Sequence, residues 1–182
     1  DINPEVFNRN FPATLAIQSD GRAFIRALNA ALEQRGVDAR NRLPEISTQV
    51  RKRNEAYADS WIHTPSREHV QPGHFFRALQ QMASEDALVV TDDGQHTFLT
   101  AELFAVSRPR HFISPTDFNC MGYCVPASIA AGMNHPGKEV ISIAGDGAIL
   151  MTGMELVTAA MHDVPVMLFI FNDGELGQIA QF

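Results

Sequence analysis

The chain has 182 residues, of which 45% are hydrophobic, and its formal net charge is −7. This length and composition suffice for one good core with an appendage, whereas the negative charge argues against a nucleic-acid-binding protein, which needs a basic face. The longest apolar run, 164–171, is far shorter than the ~18 residues that a membrane span needs, and nothing resembles a signal peptide. We therefore expect a cytoplasmic protein, and the start at Asp1 rather than Met suggests a fragment or a processed product.

Residues 1–36 are predicted to contain one amphipathic helix. Its apolar face is formed by side chains at helical spacing, namely Phe24, Ile25, Leu28, Ala31 and Leu32. Asp20 can cap the first turn of this helix, and Gly36 can end it.

Residues 37–69 are predicted to be a linker that contains a surface helix. Apolar side chains recur there at helical intervals, at Ile46, Val50, Tyr57 and Trp61. The basic run 51–53 falls within this helix, where we interpret it as a solvated face.

From residue 70 to residue 182, predicted helices and strands alternate. The clearest strands are Ala87–Thr91, Glu139–Ala144 and Pro165–Phe171, and a crossover helix from Thr152 to His162 is predicted to join the last two. Continuous apolar strands that alternate with helices are typical of a parallel sheet buried on both faces. The predicted fold class is therefore α/β, with a parallel sheet covered by helices on both faces.

Acidic turns follow two of these strands. Asp146 lies in a Gly-Asp-Gly turn after the strand 139–144, and Asp173 lies in an Asn-Asp-Gly turn after the strand 165–171. Because the carboxyl ends of parallel strands share one edge of a sheet, where ligands bind, we expect the two turns to meet. Carboxylates in that position suit Mg²⁺, which takes oxygen ligands and is often completed by substrate phosphates.

The spacing of the two turns resembles the thiamine-diphosphate motif, in which Gly-Asp-Gly is followed one βαβ unit later by Asn-Asn or a close variant. Positions 146 and 173 are 27 residues apart, which fits that register. The resemblance implies that Mg²⁺ is bound by the side chains of Asp146 and Asp173 and by the backbone carbonyl of Glu175. Asp173 stands where the family commonly has Asn, so the site carries one more negative charge.

Upstream, the run 92–96 looks like the Asp-x-Gly-Gln-His turn of acetolactate synthases and their relatives. The resemblance implies that Gly94, Gln95 and His96 hold the diphosphate, in agreement with the preference of helix N-termini for anions. The further cofactor contacts that it implies are Gly145, Gly147 and Ala148.

The segment 120–127 is similar to the family's Met-Gly-x-x-x-Pro-Ala segment. The resemblance implies that Met121 supports the cofactor in a bent form and that the carbonyl of Asn119 accepts a hydrogen bond from the aminopyrimidine. The run 177–182 resembles the acetolactate synthase Gly-Met-Val-x-Gln-Trp, which places Gln178 and Phe182 at the substrate pocket. Met151 lies close enough to Asp146 in sequence to line the same pocket.

As a whole, the chain from residue 70 is identified as a thiamine-diphosphate-binding fold that is incomplete at its C-terminus, with residues 1–36 as the tail of a central domain. The resemblance implies a decarboxylating carboligase that acts on 2-keto acids. A 2-keto acid decarboxylase or flavin-linked oxidase with the same cofactor stays open, as does a non-catalytic or nucleotide-binding α/β domain. Whether FAD binds is also open. A neighbouring subunit is expected to supply the pyrimidine-binding domain and its activating glutamate, in a homodimer or homotetramer.

Overall fold

The computed structural model describes residues 1–37, 43–62 and 69–180, and the chain divides into two compact units, Asp1–Glu55 and Ala56–Phe182. Among the described residues, none of the helices combines the length and the apolar character that crossing a bilayer requires.

The first unit contains a short 3-10 helix, Pro4–Val6, and helix α1, Gly21–Gln34. Helix α1 starts where it was predicted to start, because the Asp20 carboxylate accepts a hydrogen bond from the Ala23 N–H at 3.1 Å. It ends at a left-handed Gly36, with φ 64°, where glycine carries no steric penalty. None of the α1 residues is buried. Helix α2, Leu43–Ser60, is the helix predicted within residues 37–69, and it crosses the boundary between the two units.

The second unit consists of alternating helices and strands. In chain order its elements are α3 (Pro72–Met82), β1 (Leu88–Thr91), α4 (Gln95–Leu103), β2 (Phe112–Ile113), α5 (Cys124–Asn134), β3 (Val140–Gly145), α6 (Asp146–Thr152), α7 (Leu156–Met161), β4 (Met167–Phe171) and α8 (Gly177–Ala180). The strands form one sheet in the order β2-β1-β3-β4, and every neighbouring pair is parallel. The predicted fold class is confirmed.

Helices cover both faces of the sheet because successive strand residues point to opposite sides. On one face, Val89, Ile141 and Ile143 pack with Phe76 of α3. On the other face, alternate residues of β1 and β3 pack with α5 and α6, in a cluster of Leu88, Val90, Val140, Ala144, Cys124, Ala131 and Ala148. Burial on both faces explains why β1 and β3 are continuous apolar runs rather than alternating ones.

The crossover between β3 and β4 differs from the single helix predicted over residues 152–162. It starts directly after β3, at Asp146, and it is interrupted by a 3-10 turn at Gly153–Glu155 between α6 and α7. Glycine favours such an interruption because it is a poor helix former. At Gly153, a Cβ would lie 3.2 Å from a side-chain carbon of Ile149, so the missing side chain also allows close packing with the preceding turn. The early start places Asp146 in the first turn of a helix.

Candidate functional site

A cavity of about 850 Å³ opens at the carboxyl ends of β1, β3 and β4. It is lined by most of the residues that the sequence singled out, namely Gly94, Gln95, His96, Met121, Gly145, Asp146, Gly147, Ala148, Asp173, Glu175 and Gln178. Asn119 and Met151 are not among the residues that line it, and Phe182 lies outside the described residues. The two acidic turns, which were expected to meet, thus line one cavity, together with the turn Gly94–His96.

The two acidic turns are joined directly. The register pairs Gly145 with Phe171, so β3 and β4 end side by side. One oxygen of the Asp146 carboxylate accepts a hydrogen bond from the Gly147 N–H at 2.9 Å, and the other accepts one from the Gly174 N–H at 3.2 Å. Asp146 thus connects its own turn to the turn that carries Asp173.

The Asp173 carboxylate organises the turn after β4. It accepts a hydrogen bond from the Glu175 N–H at 3.1 Å, which folds residues 173–175 into a compact turn. Within the described part of the chain, no group of three or more His, Cys, Asp or Glu side chains is placed to hold a metal ion. The ligand set predicted from the sequence is not a group of that kind, because it combines two carboxylates with one backbone carbonyl.

His96 contributes a buried, unpartnered nitrogen to the cavity. The side chain lies in the first turn of α4, its residue is 6% exposed, and its Nε2 has no hydrogen-bond partner among the described residues. Burial lowers the pKa of this imidazole, against the opposing effect of the carboxylates of Asp92, Asp93, Asp173 and Asp146. A buried polar atom without a partner is costly, so this nitrogen favours a ligand that can hydrogen-bond to it.

Gly94 is required by the conformation of this turn. Its φ of 151° is one that residues with a side chain rarely adopt, and an added Cβ would lie 2.6 Å from the His96 ring. The glycine therefore allows the chain to pass from β1 into α4 with His96 turned inwards.

Gln95 makes a contact that its motif does not predict. Its side-chain N–H donates to the carbonyl of Gly177 at 2.9 Å. This bond ties the start of α4 to the segment that follows the Asp173 turn. No local signal in the sequence indicates it, because the two residues are 82 positions apart.

Met121 packs over the Gly-Asp-Gly turn. Its terminal methyl carbon lies 3.0 Å from the place where a Cβ on Gly147 would stand, so the glycine provides the space for it. Asn119 lies outside the cavity, exposed and with a left-handed φ of 50°. Met151 is 62% exposed, and it lies beside Gly122 rather than in the cavity.

Phenylalanines line another part of the cavity. Phe75 of α3 makes edge-to-face contacts with Phe169 and Phe171 of β4, with ring centroids 5.1 Å apart in both pairs. All three rings line the cavity, together with Leu99 and Pro72. The cavity thus combines a charged region at the acidic turns with an apolar region along β4.

Asp92 is a residue whose contacts the sequence did not indicate. It follows β1 and is 0% exposed, and its carboxylate accepts hydrogen bonds from the Gly122 and Cys124 N–H groups at 2.8 and 2.7 Å. Its place at the head of the Asp-x-Gly-Gln-His turn was the only available signal.

Comparison with known proteins gives one matching family and several relatives. Residues 92–182, half of the chain, match the family described as thiamine pyrophosphate enzyme, C-terminal TPP binding domain. The chain is 28% identical to acetolactate synthase 1, chloroplastic, of Zea mays and 29% identical to the acetolactate synthase of Mycobacterium bovis, and both alignments cover all of this chain. It is 32% identical, over 98% of its length, to the probable 2-ketoarginine decarboxylase AruI of Pseudomonas aeruginosa.

The chain spans less than a third of the length of these relatives, at 28%, 29% and 31% respectively. Among solved structures, the thiamine diphosphate-dependent 4-hydroxybenzoylformate decarboxylase of Rhodococcus jostii RHA1 superposes with a TM-score of 0.60 over 65% of this chain and 22% of that one. The sequence identity is 24%, so this likeness concerns the fold alone.

The site fits thiamine pyrophosphate, the cofactor named in the description of the family. The unpartnered buried nitrogen of His96, in a cavity that Gly145 and Gly147 also line, can hydrogen-bond to a phosphorylated ligand at the ends of β1 and β3. The chain therefore belongs to the thiamine pyrophosphate enzymes, whose thiamine-diphosphate-binding domain it carries, and it is related to acetolactate synthases and to decarboxylases of that family.

Proposed function

We propose that the chain is the cofactor- and metal-binding part of a thiamine-diphosphate- and Mg²⁺-dependent enzyme that acts on 2-keto acids, most like an acetolactate synthase. The observation that carries the proposal is the convergence of the Asp146 and Asp173 turns and the unpartnered His96 nitrogen on one cavity.

The charge of the cavity supports a metal ion between protein and cofactor. Asp146 and Asp173 bring two carboxylates to the region where a diphosphate would lie. Asp146 is half-buried and Asp173 is exposed, and two carboxylates at one site repel each other. A divalent cation removes this repulsion, and Mg²⁺ suits oxygen ligands of this kind. The proposed ligands are the side chains of Asp146 and Asp173 and the carbonyl of Glu175.

Each remaining part of the site has a physical role in the proposal. Backbone and side-chain donors of the turn Gly94–His96 bind the diphosphate, with His96 donating from its free nitrogen. Met121 acts by shape, since a thioether is neither an acid nor a base at neutral pH. The cofactor itself supplies a carbon nucleophile and an electron sink for decarboxylation.

A 2-keto acid decarboxylase is the second candidate. The observation that favours it is the 32% identity to the probable 2-ketoarginine decarboxylase, against 28% and 29% for the two acetolactate synthases compared above. The two candidates differ in whether a second 2-keto acid is joined to the first. Product analysis of the whole protein with pyruvate, and with a 2-keto acid that bears a guanidinium group, separates acetolactate from a simple aldehyde product. FAD binding is tested by the absorption spectrum of the same preparation.

The proposal includes a partner domain. A pyrimidine-binding domain, supplied by a neighbouring subunit of a homodimer or homotetramer, would bring the activating glutamate. A cytoplasmic location stays a prediction, and the Zea mays relative is chloroplastic by name.

Titration of thiamine diphosphate with and without Mg²⁺, followed by calorimetry on the whole protein, tests the proposed function. We expect measurable binding only with the metal. Equal affinity in the presence of a chelator would contradict the metal assignment, and no binding under either condition would contradict the proposed function as a whole.

A further inference from the structure

Two hydrogen-bonding groups hold the turn that carries Met121. Gly122, the next residue, has a left-handed φ of 84°, and its N–H donates to the Asp92 carboxylate at 2.8 Å. Its carbonyl accepts a hydrogen bond from the Thr152 hydroxyl at 3.0 Å. Both polar groups of the Gly122 backbone are thus bound by distant side chains, one that directly follows β1 and one at the end of α6.

Asp92 also binds the start of the helix that follows Met121. Its second oxygen accepts the N–H of Cys124, the first residue of α5, at 2.7 Å. The first N–H groups of a helix lack partners within the helix, and a carboxylate near them is stabilising. A side chain that is 32 positions earlier therefore acts as the cap of α5, for which Tyr123 provides no side-chain hydrogen bond.

The Asp92 carboxylate accepts one more backbone hydrogen bond. Its first oxygen also accepts the N–H of Asp93 at 2.9 Å, so three backbone donors meet a side chain that is 0% exposed. A carboxylate offers only acceptors, whereas an amide of the same shape would turn an N–H group towards one of these donors. The backbone carbonyl of Asp92 is also bound, by the Thr97 hydroxyl of α4. Asp92 is therefore fixed relative to both α4 and α5.

We infer that Asp92 is a positioning residue of the cofactor site, which holds Met121 in place through the backbone N–H groups of Gly122 and Cys124. The inference rests on the proposed function, because the position of Met121 matters to catalysis only if the cofactor lies against it. Asp92 itself is not among the residues that line the cavity. Asp92 would therefore affect the reaction by holding the turn that carries Met121.

The test compares Asp92→Asn with wild type in the whole protein. Displacement of a positioned group by about 1 Å can cost about 100-fold in rate, so we expect turnover per bound cofactor to fall about 10- to 100-fold and the cofactor Kd to change less. Hydrogen–deuterium exchange should become faster in residues 120–124. Asp163→Asn is the matched control: it makes the same chemical change at an exposed position whose φ of 51° asparagine tolerates, and we expect no effect.

Thr152→Val provides a second, milder variant that does not alter the charge near His96. It removes the hydrogen bond to the Gly122 carbonyl and should lower turnover per bound cofactor in the same direction, by less than Asp92→Asn. If Asp92→Asn does not fold, Thr152→Val is the variant that tests the inference. Unchanged turnover and unchanged exchange in Thr152→Val would overturn it.

The outcomes separate the inference from the proposed function. Loss of cofactor affinity with unchanged turnover per bound cofactor in Asp92→Asn shows that the residue does not act through Met121, and the inference fails while thiamine-diphosphate binding stands. If the wild-type protein binds no thiamine diphosphate with Mg²⁺, the proposed function fails. In that case, faster exchange in Asp92→Asn would show only that Asp92 makes a structural contact. The positioning role would then be overturned together with the proposed function.

Discussion

The two acidic residues at the ends of β3 and β4 differ in how much of the site depends on them. Asp146 connects both turns through its hydrogen bonds to the Gly147 and Gly174 N–H groups, whereas the Asp173 carboxylate accepts its hydrogen bond from Glu175, within its own turn. We therefore predict that Asp146→Ala abolishes Mg²⁺-dependent cofactor binding. Asp173→Asn should keep much of it, because an amide oxygen is still a hard ligand. Calorimetric titration of both variants measures this, and near-normal affinity in Asp146→Ala would contradict the assignment.

The two cysteines should differ in reactivity. Burial raises the pKa of the Cys124 thiol to about 12, with a smaller contribution from the Asp92 carboxylate. Cys120 is exposed. We predict that iodoacetamide at pH 8.5 modifies Cys120 and leaves Cys124 unmodified in the folded protein, because the thiolate is the reactive form. Peptide mass spectrometry reads the two sites separately, and modification of both in denaturant is the control. Equal rates in the folded protein would show that Cys124 is not buried.

The raised pKa of Cys124 also has a consequence for stability. In the unfolded chain a thiol loses its proton near its ordinary pKa of about 8.5, while the folded chain keeps the proton up to about 12. The unfolded state therefore binds fewer protons in this range, and this group lowers the free energy of unfolding as the pH rises through it.

At the scale of single residues, the sequence predicts the positions of Asp146, Asp173 and His96 because a general rule places the ends of parallel strands at one edge. The contacts of Gln95 with Gly177 and of Asp92 with Gly122 could not be predicted in this way. They depend on side-chain geometry between segments that are 82 and 30 positions apart. The expected place of Met151 in the pocket rested on its closeness in sequence to Asp146, but the helical direction of α6 turns it away.

At the scale of elements, close packing between the end of α2 and the start of α3 depends on Gly73. An added Cβ there would lie 2.7 Å from the Trp61 Cβ and 2.8 Å from its carbonyl oxygen, so backbone would have to move. We predict that Gly73→Ala lowers the free energy of unfolding by about 1–3 kcal/mol through overpacking. Gly21→Ala, in the first turn of α1 with no atom within 4 Å of its added Cβ, is the matched control and should not be destabilising. Urea denaturation measures both, and equal stability of the two variants would contradict the prediction.

The order of elements follows from the sequence more reliably than their ends do. The alternation of apolar runs and helical segments predicts the parallel sheet, because only a crossover connection can join parallel strands. The interruption of the crossover at Gly153 was not predicted, since a glycine within an apolar helical pattern is compatible with either a continuous or a broken helix. The two parts pack differently, since Ala148 of α6 packs against β1 and β3 whereas Ala159 of α7 packs against Val125 and Ile129 of α5.

At the scale of the whole molecule, residues of four separate segments meet at one site. They are the turn after β1, the turn before α5, the start of α6 and the turn after β4. A ligand that binds all four should stabilise the second unit, Ala56–Phe182, as one body, because anything that binds only the folded state raises its stability. The gain is about 2.7 kcal/mol when the free ligand concentration is 100 times the Kd.

We predict that thiamine diphosphate with Mg²⁺ slows hydrogen–deuterium exchange together in residues 92–96, 120–124, 145–148 and 172–177. Helix α1 contributes no residue that lines the cavity, so its exchange serves as the internal reference. Asp146→Ala is the negative control, because it removes the carboxylate that joins two of the four segments. Slower exchange at residues 145–148 and 172–177 alone would show that the ligand engages the metal turns without the Gly94–His96 turn. That result would contradict the proposed diphosphate contacts while leaving the metal site intact.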